Sequence, residues 1–349
     1  MSTSPAAIHP SRQKPVAIWL FAVAGLVALM VLVGGATRLT DSGLSITEWA
    51  PVTGAVPPLS DAAWAAEFEK YRQTPEYARV NAGMSMAEFQ FIYWWEWGHR
   101  FLGRLIGLAF AVPLIIFWLT KRIGRADLPV LLGLFVLGGM QGVVGWWMVA
   151  SGLVDRVDVS HYRLATHLGL ATLIFAALLW VGAGYARRAG MLAQADAAPA
   201  FVRPAALAIA GGAFLQLILG AFVAGLRAGK TYNTWPLMDG RFVPEGYFAH
   251  GLTGLFETAG GVQFNHRLGA YALTIGVGAF LVPILRTDTP MRLRRASLTL
   301  GVVVAGQVLL GVWTVLAAAP LALGLAHQAG ALLLISCALL VAFEAGERR

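Results

Sequence analysis

Residues 96–107 read EWGHRFLGRLIG, and residues 263–270 read QFNHRLGA. Each copy sets a His-Arg pair into an apolar, glycine-bearing run, three residues after a side chain that is Glu96 in one copy and Gln263 in the other. The correspondence extends in both directions. Upstream, Gly43 and Trp49 match Gly229 and Trp235. Downstream, Gln141, Gly145 and Trp147 match Gln307, Gly311 and Trp313, and His167-Leu-Gly169 matches His327-Gln-Ala-Gly330. Matches in the same order along the chain indicate an internal duplication.

The sequence between the matches is membrane-like. Of 349 residues, 58% are hydrophobic and 13% charged, with a mean hydropathy of +0.67, whereas soluble domains carry roughly 25% charged residues. Eight stretches reach the length of about 20 apolar residues that crosses a bilayer. They are 16–37, 97–119, 128–150, 160–185, 204–226, 262–285, 297–318 and 321–343. The first is longer than a signal-peptide core and has no convincing cleavage site, so it reads as a retained helix. The expected fold is an all-α integral membrane protein with eight transmembrane helices in two tandem, pseudo-symmetric four-helix bundles. The chain then divides into a cytoplasmic tail (1–15), a first bundle (16–186) with a long outer loop (40–95), a polar linker (187–203), a second bundle (204–343) and a C-terminal tail (344–349).

The net charge of +8 does not mark a nucleic-acid protein, because the basic residues sit in short clusters between the apolar runs. Lys121, Arg122 and Arg125 follow the second run, Arg187, Arg188 and Arg203 follow the fourth, and Arg286, Arg292, Arg294 and Arg295 follow the sixth. The loop after the seventh has none. Short basic loops face the cytoplasm, which puts both termini inside. Within the outer loop, DAAWAAEFEKYRQTPEYARV carries Trp64, Phe68 and Tyr71 at helical spacing and reads as one amphipathic surface helix. The lone cysteine, Cys337, excludes an intramolecular disulfide and a CxxCH haem attachment.

Four of the seven histidines, His99, His167, His266 and His327, occupy equivalent repeat positions. All lie near the outer ends of even-numbered spans, at one depth. A lone histidine there is usually a satisfied polar residue. Four at matched depth, two per bundle, suit opposed axial ligation of a planar metal macrocycle. Gly103 and Gly107 after His99, Gly269 and Ala270 after His266, and Gly330 and Ala331 after His327 leave room for that ring. Arg100, Arg104, Arg163 and Arg267 lie at the same mouths and suit anionic propionates. His161, six residues before His167, points elsewhere and reads as interfacial; His250 and His9 are poor ligand candidates. Glu96 shares a helix face with His99 and has only Gln263 as its counterpart, which suggests one reactive site and one redox or structural site. The clusters Trp94, Trp95, Trp97 and Trp146, Trp147 read as an interfacial aromatic belt.

The segments GGATRLTDSGLSITEWAPVTGAVPP (34–58), EWGHRFLGRLIG, YRLATHLGLA (162–171), NHRLGA and AHQAGALLL (326–334) together resemble the haem A synthase family, in the alphaproteobacterial and mitochondrial branch that lacks loop cysteine pairs. The resemblance runs across nearly the whole chain. It implies oxidation of the C8 methyl of haem O to a formyl group, giving haem A for cytochrome oxidase. It also implies His266 and His327 as ligands of a haem b cofactor, with Arg267 beside it, and haem O near His99 and His167, with Glu96 as the functional acid. Implied partners are haem O, haem O synthase, oxidase assembly factors, membrane lipid and further copies of the chain, with no nucleic acid; the implied location is the cell inner membrane, haem sites towards the periplasm. Competing readings are a di-haem b-type electron-transfer protein, which leaves the Glu96/Gln263 difference without a role, and a non-catalytic assembly factor. A prenyltransferase is disfavoured, since Asp127, Asp155 and Asp158 are too sparse for a diphosphate site.

Overall fold

The computed structural model describes residues 10–154, 156–195, 198–249 and 251–346. His9, Asp155 and His250, named above, lie outside them, as do residues 347–349 of the C-terminal tail. The described residues form eleven α-helices and no strand. Eight are long and apolar enough to cross a membrane: α1 (Pro10–Leu39), α4 (Met86–Leu119), α5 (Leu128–Ala150), α6 (His161–Arg188), α7 (Val202–Gly225), α9 (Ala259–Arg286), α10 (Met291–Leu316) and α11 (Leu321–Glu344). At 1.5 Å per residue, even the shortest exceeds a hydrocarbon core of about 30 Å. The chain is a multi-pass membrane protein. Three short helices, α2 (Asp61–Arg72), α3 (Pro75–Arg79) and α8 (Gly251–Glu257), lie in the connections.

In the first half α1 packs on α4 and α6, and α5 on the same two helices. In the second half α7 packs on α9 and α11, and α10 on those two. The halves meet along α6–α7, α1–α11 and α6–α11. The helices at this seam are the most buried: the apolar windows of α1, α6, α7 and α11 are 33 to 44% buried, against 11 to 17% for α4, α5, α9 and α10. The second set therefore offers most of its surface to lipid. Val16, Leu20, Leu178, Tyr185, Val202, Leu293, Ala338 and Val341 are fully buried in one continuous core. At the histidine end the seam is closed by charge. Arg38 and Arg227 both donate to Asp158 (3.0 and 2.9 Å) and Asp41 (3.2 and 3.0 Å).

Two details differ from the sequence reading. The stretch expected to form one surface helix is broken into α2 and α3, because Thr74 precedes Pro75 and is held extended (ψ 152°); its hydroxyl instead caps α3 at Tyr77 N–H. The pair packs on the protein, with Trp64 and Tyr71 buried against Phe89 and Tyr93. α4 also begins at Met86 rather than 97. Its first turns are amphipathic, are fixed by a Ser85–Glu88 capping box and bury Phe89, Ile92 and Tyr93 under α2.

Candidate functional site

The four histidines come together as two pairs. His99 on α4 and His167 on α6 have ring centroids 6.5 Å apart at an interplanar angle of 66°. His266 on α9 and His327 on α11 are 6.2 Å apart at 78°. Imidazoles on opposite sides of one metal, each bonded at about 2 Å, have centroids roughly 6 Å apart. Among the described residues no three His, Cys, Asp or Glu side chains converge. A metal held by either pair must bring its own equatorial donors, as a haem does.

Each imidazole lies against a glycine of the preceding helix. A Cβ at Gly34 would stand 3.2 Å from His99 Nε2, at Gly145 2.8 Å from His167 Cε1, at Gly220 3.2 Å from His266 Cε1 and at Gly311 2.9 Å from His327 Cε1. These four cradles occupy equivalent repeat positions and set the ring against the helix backbone. The room expected after His266 and His327 is used differently. A Cβ at Gly269 would collide with Gln216 Oε1, and one at Gly330 with Gln307 Oε1, so these glycines admit an amide from the neighbouring helix. Gly103 faces the Met30 methyl (3.4 Å), and Gly107 is open.

Those amides hold the histidines. Gln141 Nε2 donates to His167 O (2.9 Å) and lies 3.1 Å from its Nδ1. Gln216 Nε2 donates to His266 O (2.8 Å) and lies 3.0 Å from its Nδ1. Gln307 Nε2 donates to His327 O (2.8 Å). Sequence reasoning matched Gln141 to Gln307 but missed Gln216, Gly34 and Gly220. The signal was present as Gln-x3-Gly at 141/145, 216/220 and 307/311. An apolar groove of about 720 Å³ between α7 and α9 runs from Phe201 and Pro283 to Gln216 and Gly269, so the Gln216 amide separates it from His266.

Glu96 is buried (3% exposed), one helical turn before His99. Its Oε2 accepts from the Ser45 hydroxyl (2.8 Å) and Ile46 N–H (2.9 Å), and its Oε1 from Arg100 (2.6 Å). Gln263 holds the equivalent connection with reversed polarity, donating to Ala228 O (3.0 Å) and Tyr232 O (3.3 Å). The arginines join these anchors. Arg100 donates to Ile46 O and Glu48 O, Arg104 to Ala50 O and Pro51 O, and Arg267 to Tyr232 O (2.9 Å). Arg163 donates to Trp147 O and lies over the Trp147 ring. All four guanidiniums thus bind backbone at the histidine end; Arg104 Nη1 remains buried without a partner. His161 departs from the interfacial expectation. It is 2% exposed, wedged beside Phe222 and Gly225 where α6 meets α7, and joins neither pair.

A family model described as cytochrome oxidase assembly protein, COX15-CtaA, matches residues 17–339. This chain is a member of that family. Similar curated proteins named heme A synthase include those of Parvibaculum lavamentivorans, 53% identical over 94% of this chain and 93% of that one, and Azorhizobium caulinodans, 48% identical over 100% and 99%. The protein of the same name from Maricaulis maris is 47% identical over 96% of this chain and 97% of its own length. For this COX15-CtaA member, the match covers both histidine pairs and all four glycine cradles.

Proposed function

We propose that this chain is an oxidoreductase that converts haem O to haem A for cytochrome oxidase. The observation that carries this is the paired, repeat-equivalent imidazoles, 6.5 and 6.2 Å apart over glycine cradles, in a chain about half identical to heme A synthases over nearly its full length. The first bundle (16–186) takes haem O as substrate between His99 and His167. The second (204–343) holds haem b between His266 and His327, with Arg267 fixing the connection above it. Haem b, when bound, supplies one-electron redox chemistry. Taking the C8 methyl of the substrate through a geminal diol, which loses water to the aldehyde, removes four electrons in all, and an oxidant from outside the chain must take them up. Glu96 sets a fixed negative charge one turn from His99, where it favours cationic character at the reacting carbon. The three donors around its oxygens favour this electrostatic role over proton abstraction. Gln263 brings no such charge to the cofactor half.

The basic short loops support a topology with both termini in the cytoplasm and the histidine pairs towards the periplasmic side of the inner membrane. Haem O synthase, oxidase assembly factors and further copies of the chain are the partners such a site calls for, since a membrane-bound haem must be received and handed on.

Co-expression with a source of haem O tests the reading. Extracted haems should contain haem A by mass spectrometry, and Glu96→Ala should lower conversion while haem stays bound. Purified protein free of any haem refutes the ligand assignment. Bound haem with no haem A formed supports a di-haem electron-transfer protein instead.

A further inference from the structure

The two halves repeat the histidine and glycine at each ligand position, but the hydrogen-bond partner is repeated only three times. Gln141, Gln216 and Gln307 each stand four residues before the glycine that cradles a histidine. The fourth cradle, Gly34, has Met30 in that place. Met30 turns its methyl group towards Gly103 on α4, 3.4 Å from where a Cβ would stand, and a thioether sulfur is at most a weak acceptor. A second observation agrees. His167, His266 and His327 present the Cε1 edge to their glycines, with Nδ1 next nearest, whereas His99 presents Nε2 and Cδ2 to Gly34. The imidazole that faces Met30 is thus the one whose ring is turned over.

Resting on the reading that the pairs ligate haem, we propose that Gln141, Gln216 and Gln307 are positioning residues that hold His167, His266 and His327 for ligation, and that His99, facing Met30, is the ligand built to leave. Groups beyond the ligands orient them, and their loss is felt at the metal. Here Gln Nε2 donates to the histidine carbonyl at all three sites (2.8 to 2.9 Å) and at two of them also lies beside Nδ1, which fixes the turn of helix that carries the ring. Met30 has no N–H to donate to the His99 carbonyl. A metal with both axial positions filled offers none to a third group, so a half that admits one has a ligand that yields, and a half that only relays electrons needs none.

The test uses the purified full chain loaded with haem, carbon monoxide as the probe and two spectroscopic readouts: the low-spin electron paramagnetic resonance signal and carbon monoxide binding after reduction. Wild type should bind carbon monoxide at the first-half haem only. Loss of such an outer partner weakens metal affinity by about 10- to 100-fold. Met30→Gln should therefore slow carbon monoxide binding by about tenfold, while Met30→Leu, which keeps the packing, should behave as wild type. Gln216→Met and Gln307→Met should make the second haem reactive to carbon monoxide and alter its low-spin signal. Haem-replete Met30→Gln, Gln216→Met and Gln307→Met proteins with wild-type spectra and carbon monoxide kinetics overturn this inference alone. Wild-type protein that binds no haem overturns it together with the functional reading.

Discussion

Replacing Glu96 by glutamine should release the connection over the first histidine pair, although the two side chains have nearly the same shape. The carboxylate accepts three hydrogen bonds, from Ser45, Ile46 N–H and Arg100. An amide has one oxygen. If that oxygen faces Ser45 and Ile46, the NH2 group meets the Arg100 guanidinium; turned over, it meets a hydroxyl and a backbone N–H. A hydrogen bond to a charged group contributes about 1.5–3 kcal/mol, and breaking a buried ion pair from one side costs about 3–5 kcal/mol. Arg100 keeps Ile46 O and Glu48 O as acceptors, so the low end applies, about 2–3 kcal/mol in all. The loss should appear as local opening of residues 42–51. The direct monitor is hydrogen exchange at the Ile46 amide, which bonds the carboxylate itself, and 2–3 kcal/mol corresponds to about 30- to 150-fold faster exchange. Gln263→Glu is the reciprocal experiment. It sets carboxylate oxygens against Ala228 O and Tyr232 O and should loosen the second-half connection. Ile46 exchange within about threefold of wild type in Glu96→Gln, under 1 kcal/mol, refutes the anchoring role.

Three further outcomes follow from packing and charge. Gly311→Ala places a methyl 2.9 Å from His327 Cε1; overpacking of this kind costs about 1–3 kcal/mol, so haem retention by the second half should fall in pyridine haemochrome assays while helix content by circular dichroism is kept. Burial raises the Glu76 carboxyl to about 7, against an ordinary value of 4.5, with the Tyr71 hydroxyl donating to it. Because the folded value is raised, the stability it contributes is complete below pH 4.5 and lost as pH rises through 7. Limited proteolysis of residues 61–81 should accelerate across that window, and Glu76→Gln should abolish the dependence, which amounts to about 3 kcal/mol. Asp158→Ala leaves Asp41 as the remaining carboxylate for Arg38 and Arg227; in this partly exposed cluster the loss should be about 1 kcal/mol, read as a small drop in thermal midpoint with both haems retained.

The spans and the histidines could be read from sequence because each carries a local signal: apolar length for the first, and for the second a repeated His-Arg pair or a histidine with glycine two or three residues on. The start of α4 could not, because Met86–Glu96 is held by α2, and packing against Trp64 and Tyr71 is invisible to a hydropathy window. The break at Thr74 was written in Pro75 and was overruled by the helical spacing of Trp64, Phe68 and Tyr71. The donors to Glu96 were hidden for another reason. Ser45 and Ile46 lie about fifty positions away, and no pattern along the chain ties them to a carboxylate. The glycines were recognised but given the wrong neighbour. Gly269 and Gly330, which follow a histidine on its own helix, admit an amide, while the glycines that admit the imidazole lie on the helix before it.

The departures from symmetry are not scattered. The duplication keeps glycine against every imidazole and glutamine beside three of them, so the shared plan is a fixed ligand pair in each half. It fails at Met30 in place of glutamine on α1, and at Glu96 in place of Gln263's counterpart on α4. Both positions flank His99. Its partner His167 keeps the full arrangement of Gln141 and Gly145, as do both histidines of the second half. One change removes the partner that would fix a ligand, and the other adds a negative charge held rigid by three donors. Drift would spread substitutions over all four ligand positions. On the functional reading proposed above, two changes around one histidine, one loosening the ligand and one placing charge beside it, would convert one of two equal haem sites into a site that can act on the haem it holds.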